Sequence, residues 1–458
     1  MARIFTSFYM SDFLPEGAIC CFYEGFIKGL KDKGNDVFAY ISNDFAYDFS
    51  KPIPNNLLEK IKKFNPDFIF LFNNKFYDIS KEFDCPIIIY EVDTPLYYSN
   101  KNILKQNIDR YKFIVGQPAS YDVLINEYKA KEKNILIAPY FTEVRNENVE
   151  IKNNIVFIGT KFSPCEGRTI FSNFMSCNPT NDEIIQYKFL INEVLKNPFI
   201  TDEEIFEKYN INSDAIKYNF STDYVIRYLS DYNRVKVLSS VSDLGLKIYG
   251  STNWALDNYN EPYLILNYDK TPKYSLKHNQ DVYNSSKIGI NINHIQAREG
   301  FSWRVCDILA SNACLVSENK PDLKKYFPSV NIPVFDNLYE AREICIKLLN
   351  DENMRADIVA AANEVIDKNY RVENVLKMIE DYFGFSFMVD ELNKDADLFI
   401  ETQNNVAKSE PYKFQLKKRL KNIIYLFILF LGQFPIIDLF VNKKRRERLF
   451  EKIKKYMR

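Results

Sequence analysis

The sequence predicts an α/β chain: two doubly wound parallel-sheet domains facing each other across a cleft, with a helical insertion in the second domain and a basic amphipathic tail. Three observations carry this. Short apolar strands alternate with amphipathic helices from Arg3 to Ala138, the pattern of a parallel sheet covered on both faces. A polar linker, Glu143–Asn154, is followed by a second series of the same kind that begins at Ile155. Charge and hydropathy then change character after residue 410. At 458 residues, 46% of them apolar, the chain is long enough to fill two cores of ordinary domain size.

Taken in order, the first series reads as strand Arg3–Phe8, helix Phe22–Lys33, strand Val37–Ile41, helix Leu57–Phe64, and strands Phe68–Phe72, Ile87–Glu91, Phe113–Gly116 and Ile135–Ala138. The second reads as strands Ile155–Ile158, Leu246–Tyr249, Ile288–Ile292, Cys314–Val316 and Val330–Val334. Helical periodicity over about 163–241 predicts an insertion on its first crossover. A helix over Met354–Phe383 closes the series and is placed to cross back to the first domain. The expected division is therefore a first domain at 1–148, a second at 149–385, a linker at 386–410 and a tail at 411–458.

Chemistry concentrates in Lys287–Leu323. There a strand, a loop holding Glu299, a helix over Ser302–Ser311 holding Asp307, and a second strand form a βα unit, with its polar residues at the carboxyl end of the strand. Open α/β sheets bind ligands at that end. Ser302 is placed to cap the helix and leave its first-turn amides as a phosphate seat. Arg304 and Asp307, three positions apart, share a helix face. A guanidinium fork suits a diphosphate and a carboxylate suits paired sugar hydroxyls. The plainer alternative is a solvated ion pair worth about 0.3–0.5 kcal/mol.

Glu299 and Asp307 enclose seven residues, which resembles the acidic pair of the group 1 (family 4) glycosyltransferases, with Asp in place of the second Glu. The run Arg304-Val305-Cys306-Asp307-Ile308-Leu309-Ala310, followed by Asp322-Leu323, is similar to the CgeB-like glycosyltransferases. Ser311-Asn312-Ala313 stands where that family has a Cys-Gly-Gly turn. The resemblance implies the GT-B architecture: two Rossmann-like domains, with 1–148 on the acceptor side and 149–385 holding a nucleotide sugar. It further implies that Asp307 binds the ribose and Glu299 the donor sugar or its phosphate. Arg304, Arg168 and the amides beyond Ser302 would hold the diphosphate, with Arg234 fitting nearly as well as Arg168.

Other segments match the family with less specific patterns. Val156-Phe157-Ile158-Gly159-Thr160 resembles the strand-to-loop turn where backbone approaches the diphosphate, and Gly159 is its close-approach residue. Tyr249-Gly250 ends the next strand and lines the cleft by position. Lys270–Tyr274 occupies the segment that contacts the base through main-chain groups, Tyr274 included. Glu91-Val92-Asp93-Thr94-Pro95 is similar to an acidic-Pro turn that aims Asp93 at the cleft as a base or hydroxyl partner. The alternative is a turn-forming Asp before Pro.

Composition excludes other classes. Two histidines, His278 and His294, leave little for histidine metal sites or a Ser-His-Asp triad. Eight cysteines without a Cys-x-x-Cys pair read as reduced core thiols. No Asp-x-Asp stands where it could hold a divalent ion against a diphosphate, so a metal-independent reaction without cofactor is expected. A net charge of −1 gives no field for nucleic acid. Residues 411–458, however, hold 14 Lys/Arg against 3 Asp/Glu, a local +11 that leaves −12 on the preceding 410 residues. Around the apolar run Ile423–Phe440 this predicts attachment to a membrane surface. A small bundle or an oligomer interface is the alternative there. The start, lacking a signal-peptide core, predicts a cytoplasmic catalytic region, peripheral on the inner face.

The expected function is transfer from a nucleotide-diphosphate sugar to a glycan, lipid-linked or protein acceptor, as in polysaccharide biosynthesis. The acidic spacing resembles that of retaining enzymes. The rival from another class is a non-catalytic glycan-binding or coat-assembly protein that keeps the fold. No segment suggests the lysine-bound pyridoxal phosphate of a glycan phosphorylase.

Overall fold

The computed structural model describes residues 2–9, 18–42, 52–73, 76, 78–98, 100–162, 171–256, 261–387 and 397–403. Arg168 and the tail 411–458, both named above, lie outside them. Met1–Asn404 form one compact unit built on two parallel sheets.

The first sheet contains β1 (Arg3–Tyr9), β2 (Asp36–Ser42), β3 (Phe68–Phe72), β4 (Ile87–Tyr90), β5 (Tyr111–Val115) and β6 (Ile135–Ile137). The second contains β7 (Asn153–Ile158), β8 (Leu246–Tyr249), β9 (Tyr268–Asp269), β10 (Ser286–Asn291), β11 (Cys314–Glu318) and β12 (Val334–Phe335). A last strand, β13 (Leu398–Gln403), returns to the first sheet and pairs in parallel with β2, Leu398 opposite Val37. The strand orders are β13-β2-β1-β3-β4-β5-β6 and β12-β11-β10-β7-β8-β9. Winding reverses between β1 and β3 in the first sheet and between β7 and β10 in the second. These reversals open the crevices where such sheets take ligands.

Strand composition explains the arrangement. β3 and β4 read FIFLF and IIIY, apolar at almost every position, as befits central strands covered on both faces. Ile69, Phe70, Ile87 and Ile88 are fully buried. In the insertion, helices Asn181–Lys196 and Asp202–Lys208 each start with a capping box, Thr180 with Glu183 and Thr201 with Glu204. The insertion has its own core around Phe174, Tyr187, Leu190 and Ile226.

Three expectations are corrected. The strand expected at Val330–Val334 is only Val334–Phe335, because Pro333 has no N–H for the ladder. The helix expected at Met354–Phe383 is two, Glu352–Asn369 and Val372–Phe383, separated at Tyr370 and Arg371. Arg371 adopts extended backbone and its buried guanidinium donates to the Thr142 carbonyl at 3.1 Å, tying the crossover to the interdomain linker. Residues 398–403, expected in a linker, form β13 instead.

The second of these helices crosses to the first domain. Val372, Val375, Leu376 and Ile379 join the core that contains Phe26 and Leu30, each such burial contributing about 1.5–3 kcal/mol. Gly29 permits the approach, since a Cβ there would run into the Val372 side chain. Trp303 of the second domain stacks on Phe22 of the first, with ring centroids 4.9 Å apart and planes 10° from parallel.

Candidate active site

A cavity of about 700 Å³ opens beside the β7/β10 reversal, with its far wall made by the turn after β4. Its volume falls within the range of small-molecule sites.

The second-domain side begins where β7 and β8 end in glycines. The Gly159 amide donates to the Tyr249 carbonyl at 2.9 Å, and the Gly159 carbonyl accepts from Trp254 Nε1 at 2.8 Å. A Cβ at Gly159 would lie 2.6 Å from Phe157 Cζ and 2.8 Å from Arg304 Nη2. Gly250, at φ +153°, would drive a Cβ into the Gly159 carbonyl. Arg304 donates from Nε to the Ile158 carbonyl at 2.6 Å and from Nη1 to Asn291 Oδ1 at 3.0 Å, so it staples the ends of β7 and β10 together. Arg234 bonds the Thr160 carbonyl and, at 3.2 Å, the Ile292 carbonyl. Burial, and then the neighbouring Arg304 charge, push Arg234 down to about 9, and it stays cationic at neutral pH. Both guanidinium groups lie over the Phe157 ring, at 5.0 and 5.4 Å. Lys161, also buried, is matched by Asp231 at 3.2 Å. The result is a basic corner in which two arginines repel each other.

The loop after β10 is held by the first domain. Gln117 Nε2 donates to the Gln296 carbonyl at 2.9 Å, and Gln117 Oε1 accepts from the amides of Arg298, Glu299 and Gly300 at 3.0, 3.4 and 3.4 Å. Glu299 consequently faces away from the cavity. Its carboxylate pairs with Arg298 and accepts from the Ala119 amide at 3.4 Å, in the first turn of the helix Pro118–Asn126. Ser302 lines the cavity but does not cap a helix: the helix is Arg304–Leu309, Trp303 holds the cap position, and Ser302 Oγ donates to Asn291 Oδ1 at 2.9 Å. That bond fixes the hydroxyl toward β10 and takes it from the helix amides.

The acidic side comes from the turn after β4. Asp93 lines the cavity, and Asn73 shapes its turn from a left-handed conformation (φ +57°). Asn73 Oδ1 accepts from the Val92 and Asp93 amides at 2.9 and 3.0 Å, while Nδ2 donates to Asp93 Oδ2 at 3.1 Å. The Asp93 side chain is open to the cleft yet enclosed by its walls, and this burial raises its carboxyl while Asn73 pulls it back. Glu91, 3% exposed, also lines the cavity. It accepts from the Gly116 amide at 2.7 Å and from Ser120 Oγ.

Burial pushes the Glu91 carboxyl up to about 7 against those two bonds, with the Asp93 charge adding to the rise. Its ordinary value is 4.5. The folded group titrates above the unfolded one, so its contribution to stability is complete below pH 4.5 and is lost as pH rises through 7. Glu91→Gln should therefore stabilise the protein at pH 8, by on the order of 3 kcal/mol, and show no gain at pH 4.5. Denaturant melts at the two pH values check this; an equal difference at both would overturn it.

Asp307 lies beneath this surface. It is 3% exposed, and Oδ1 accepts from Thr142 Oγ1 of the interdomain linker at 2.6 Å. Burial pushes it up to about 6, with Thr142, Asn279, Cys21 and Arg304 pulling the other way. Arg304 and Asp307 form no ion pair, because each is drawn to a different partner. The Tyr274 carbonyl accepts from the Cys21 amide at 2.6 Å. Tyr249 is buried with its ring under Lys273, at 6.0 Å. The structure thus brings Asp93 and Ser302 to the cavity, sets Arg304, Gly159 and Gly250 at the reversal beside it, and places Asp307, Glu299, Tyr249 and Tyr274 in contacts of their own. Sequence reading passed over Glu91, Gln117, Asn293 and His294. An acid closing an all-apolar strand was the one available signal, and it pointed to Glu91. Among the described residues no cluster of His, Cys, Asp and Glu could hold a metal ion, and no helix is long and apolar enough to cross a membrane.

Comparison with curated proteins finds no match to the sequence. Solved structures resemble it at low identity, among them the following three. Sucrose-phosphate synthase from Thermosynechococcus elongatus aligns at TM-score 0.49 and 9% identity, covering 83% of this chain and 98% of that one. Anabaena HepE in complex with UDP gives 0.43 and 11%, covering 84% and 100%. WaaG, a glycosyltransferase involved in lipopolysaccharide biosynthesis, gives 0.46 and 8%, covering 84% and 100%. Residues 234–381 match the family described as glycosyl transferase-like. The matched segment contains Arg234, Arg304 and strands β8 to β12. Over residues 234–381 the chain is similar to the glycosyl transferase-like family, and it is built on two parallel α/β sheets.

Proposed function

We propose that this glycosyltransferase moves a sugar from a nucleotide-diphosphate donor to a hydroxyl of a glycan, lipid-linked or protein acceptor. The observation that carries the reading is the polarity around the cavity: two buried arginines at the β7/β10 reversal behind one wall, Asp93 and Glu91 in the other. A diphosphate leaving group needs positive charge where it departs. An attacking hydroxyl needs an acceptor for its hydrogen, and Asp93 is the carboxylate open to the cavity. In this reading Arg304 and Arg234 neutralise the diphosphate and the Gly159 turn lets it approach the backbone. Asp307, under Arg304, contributes to the ribose end when the domains part from their contact at Thr142. A single displacement with Asp93 as base inverts the anomeric centre, whereas the spacing of Glu299 and Asp307 resembles that of retaining enzymes; the anomeric configuration of the product distinguishes the two.

The tail belongs to the same proposal, as a basic segment that holds the enzyme on an anionic membrane surface near lipid-linked acceptors. One experiment tests both parts. The full chain and a chain ending at Glu410 are assayed for nucleotide release from a panel of sugar nucleotides, with and without anionic lipid vesicles, and then sedimented. Release by both chains, with vesicle binding by the full chain only, is expected. No release with any donor would overturn the transferase reading. Tight nucleotide binding without turnover would favour the binding-protein rival, and equal sedimentation of the two chains would remove the membrane role.

A further inference from the structure

Directly after β10 the chain places two hydrogen-bond donors on the cavity wall that the protein does not use. Asn293 is 2% exposed, and its Oδ1 accepts from the Ser302 amide at 3.1 Å and from Asn291 Nδ2 at 3.2 Å. The Ser302 N–H fixes which end of the amide is oxygen. Asn293 Nδ2 is then a buried donor without a partner, an unfavourable condition that a ligand acceptor would relieve. His294, next in the chain, accepts from the Gln296 amide at Nδ1, 3.3 Å away. The tautomer with hydrogen on Nε2 follows, and that atom makes no bond to the protein. Burial and the charges of Arg234 and Arg227 hold His294 well below its usual range, so the ring is neutral.

Both side chains have their acceptor atoms occupied, with two N–H left over on Asn293 and one on His294. A pair that can only donate favours a group that can only accept, and an anionic phosphate oxygen is a stronger acceptor than a sugar hydroxyl. The position agrees, because the Ile292 carbonyl just before them is held by Arg234 and the Asn291 side chain by Arg304. We propose that Asn293 Nδ2 and His294 Nε2 form an uncharged seat for the non-bridging oxygens of the terminal phosphate of a nucleoside diphosphate, beside the two arginines. This rests on the nucleotide-sugar reading and adds to it the residues that tell a diphosphate from a monophosphate.

The test is calorimetric titration of the full chain with a nucleoside diphosphate and with the matching monophosphate, for wild type, Asn293→Ala, Asn293→Asp and His294→Ala. Asn293→Asp retains an oxygen for the Ser302 amide and so guards against mere misfolding, which thermal melts also monitor. Diphosphate affinity should fall about 10-fold in each alanine variant, and further in Asn293→Asp, where like charges meet. Monophosphate affinity should change little, narrowing the preference for diphosphate. Wild-type diphosphate affinity in folded Asn293→Asp, or equal losses for both nucleotides, would overturn the seat. If the wild type binds neither nucleotide, the nucleotide-sugar reading itself falls.

Discussion

Asp93→Asn should lower glycosyl transfer about 1000-fold, within the range for loss of a positioned general base, and leave nucleoside diphosphate affinity within about 2-fold. The substitution isolates charge from shape. Asn keeps an oxygen for the Asn73 Nδ2 bond and the backbone amides that Asn73 Oδ1 receives, so the turn after β4 has no reason to change. What it removes is the negative oxygen facing the cavity. Its neighbour Glu91 cannot substitute, because its oxygens are committed to Gly116 and Ser120. Transfer assays at saturating donor, paired with calorimetry, check the split. Unchanged transfer, or loss of both transfer and nucleotide binding, would remove Asp93 from the acceptor side.

The contrast between Asp93 and Glu299 shows what the sequence could disclose. Asp93 follows a buried strand within a tight turn, and a turn at the carboxyl end of a central strand has only the crevice to face. Local order was enough. Glu299 sits in a loop, and the direction of its carboxylate depends on Gln117, 182 positions away and in the other domain. Nothing near Glu299 announces that partner. Arg304 and Asp307 were paired by helical spacing, but the helix is only six residues long. Each side chain instead answers to strand ends and a linker brought together by the fold. β13 was missed for a related reason: a six-residue strand in a polar stretch becomes legible only once β2 offers an open edge.

The domain contacts also fix the loop after β10 in place. Gln117 binds the backbone of the loop after β10 through four hydrogen bonds, and the same helix start receives Glu299. Glu91 in turn holds the residues on either side of Gln117, bonding Gly116 and Ser120. The acidic wall and the loop after β10 are therefore one hydrogen-bonded assembly. Displacing either domain moves both.

Arg304→Ala should weaken nucleoside diphosphate binding about 100-fold and destabilise the fold by roughly 3–5 kcal/mol, the scale for losing a buried charge with its bonds. The Ile158 carbonyl would lose its 2.6 Å partner, Asn291 Oδ1 would lose one of its two donors, and the Phe157 ring would lose one of its two cations. Arg304→Lys should not rescue either property. One ammonium cannot span the carbonyl at the end of β7 and the amide at the end of β10, whereas the guanidinium reaches both from separate nitrogens. Titrations below the melting temperature of each variant separate binding from folding. Full binding by Arg304→Lys would show that charge alone suffices at the reversal. Full binding by Arg304→Ala would remove Arg304 from the diphosphate site, leaving Arg234 as the cation that meets it.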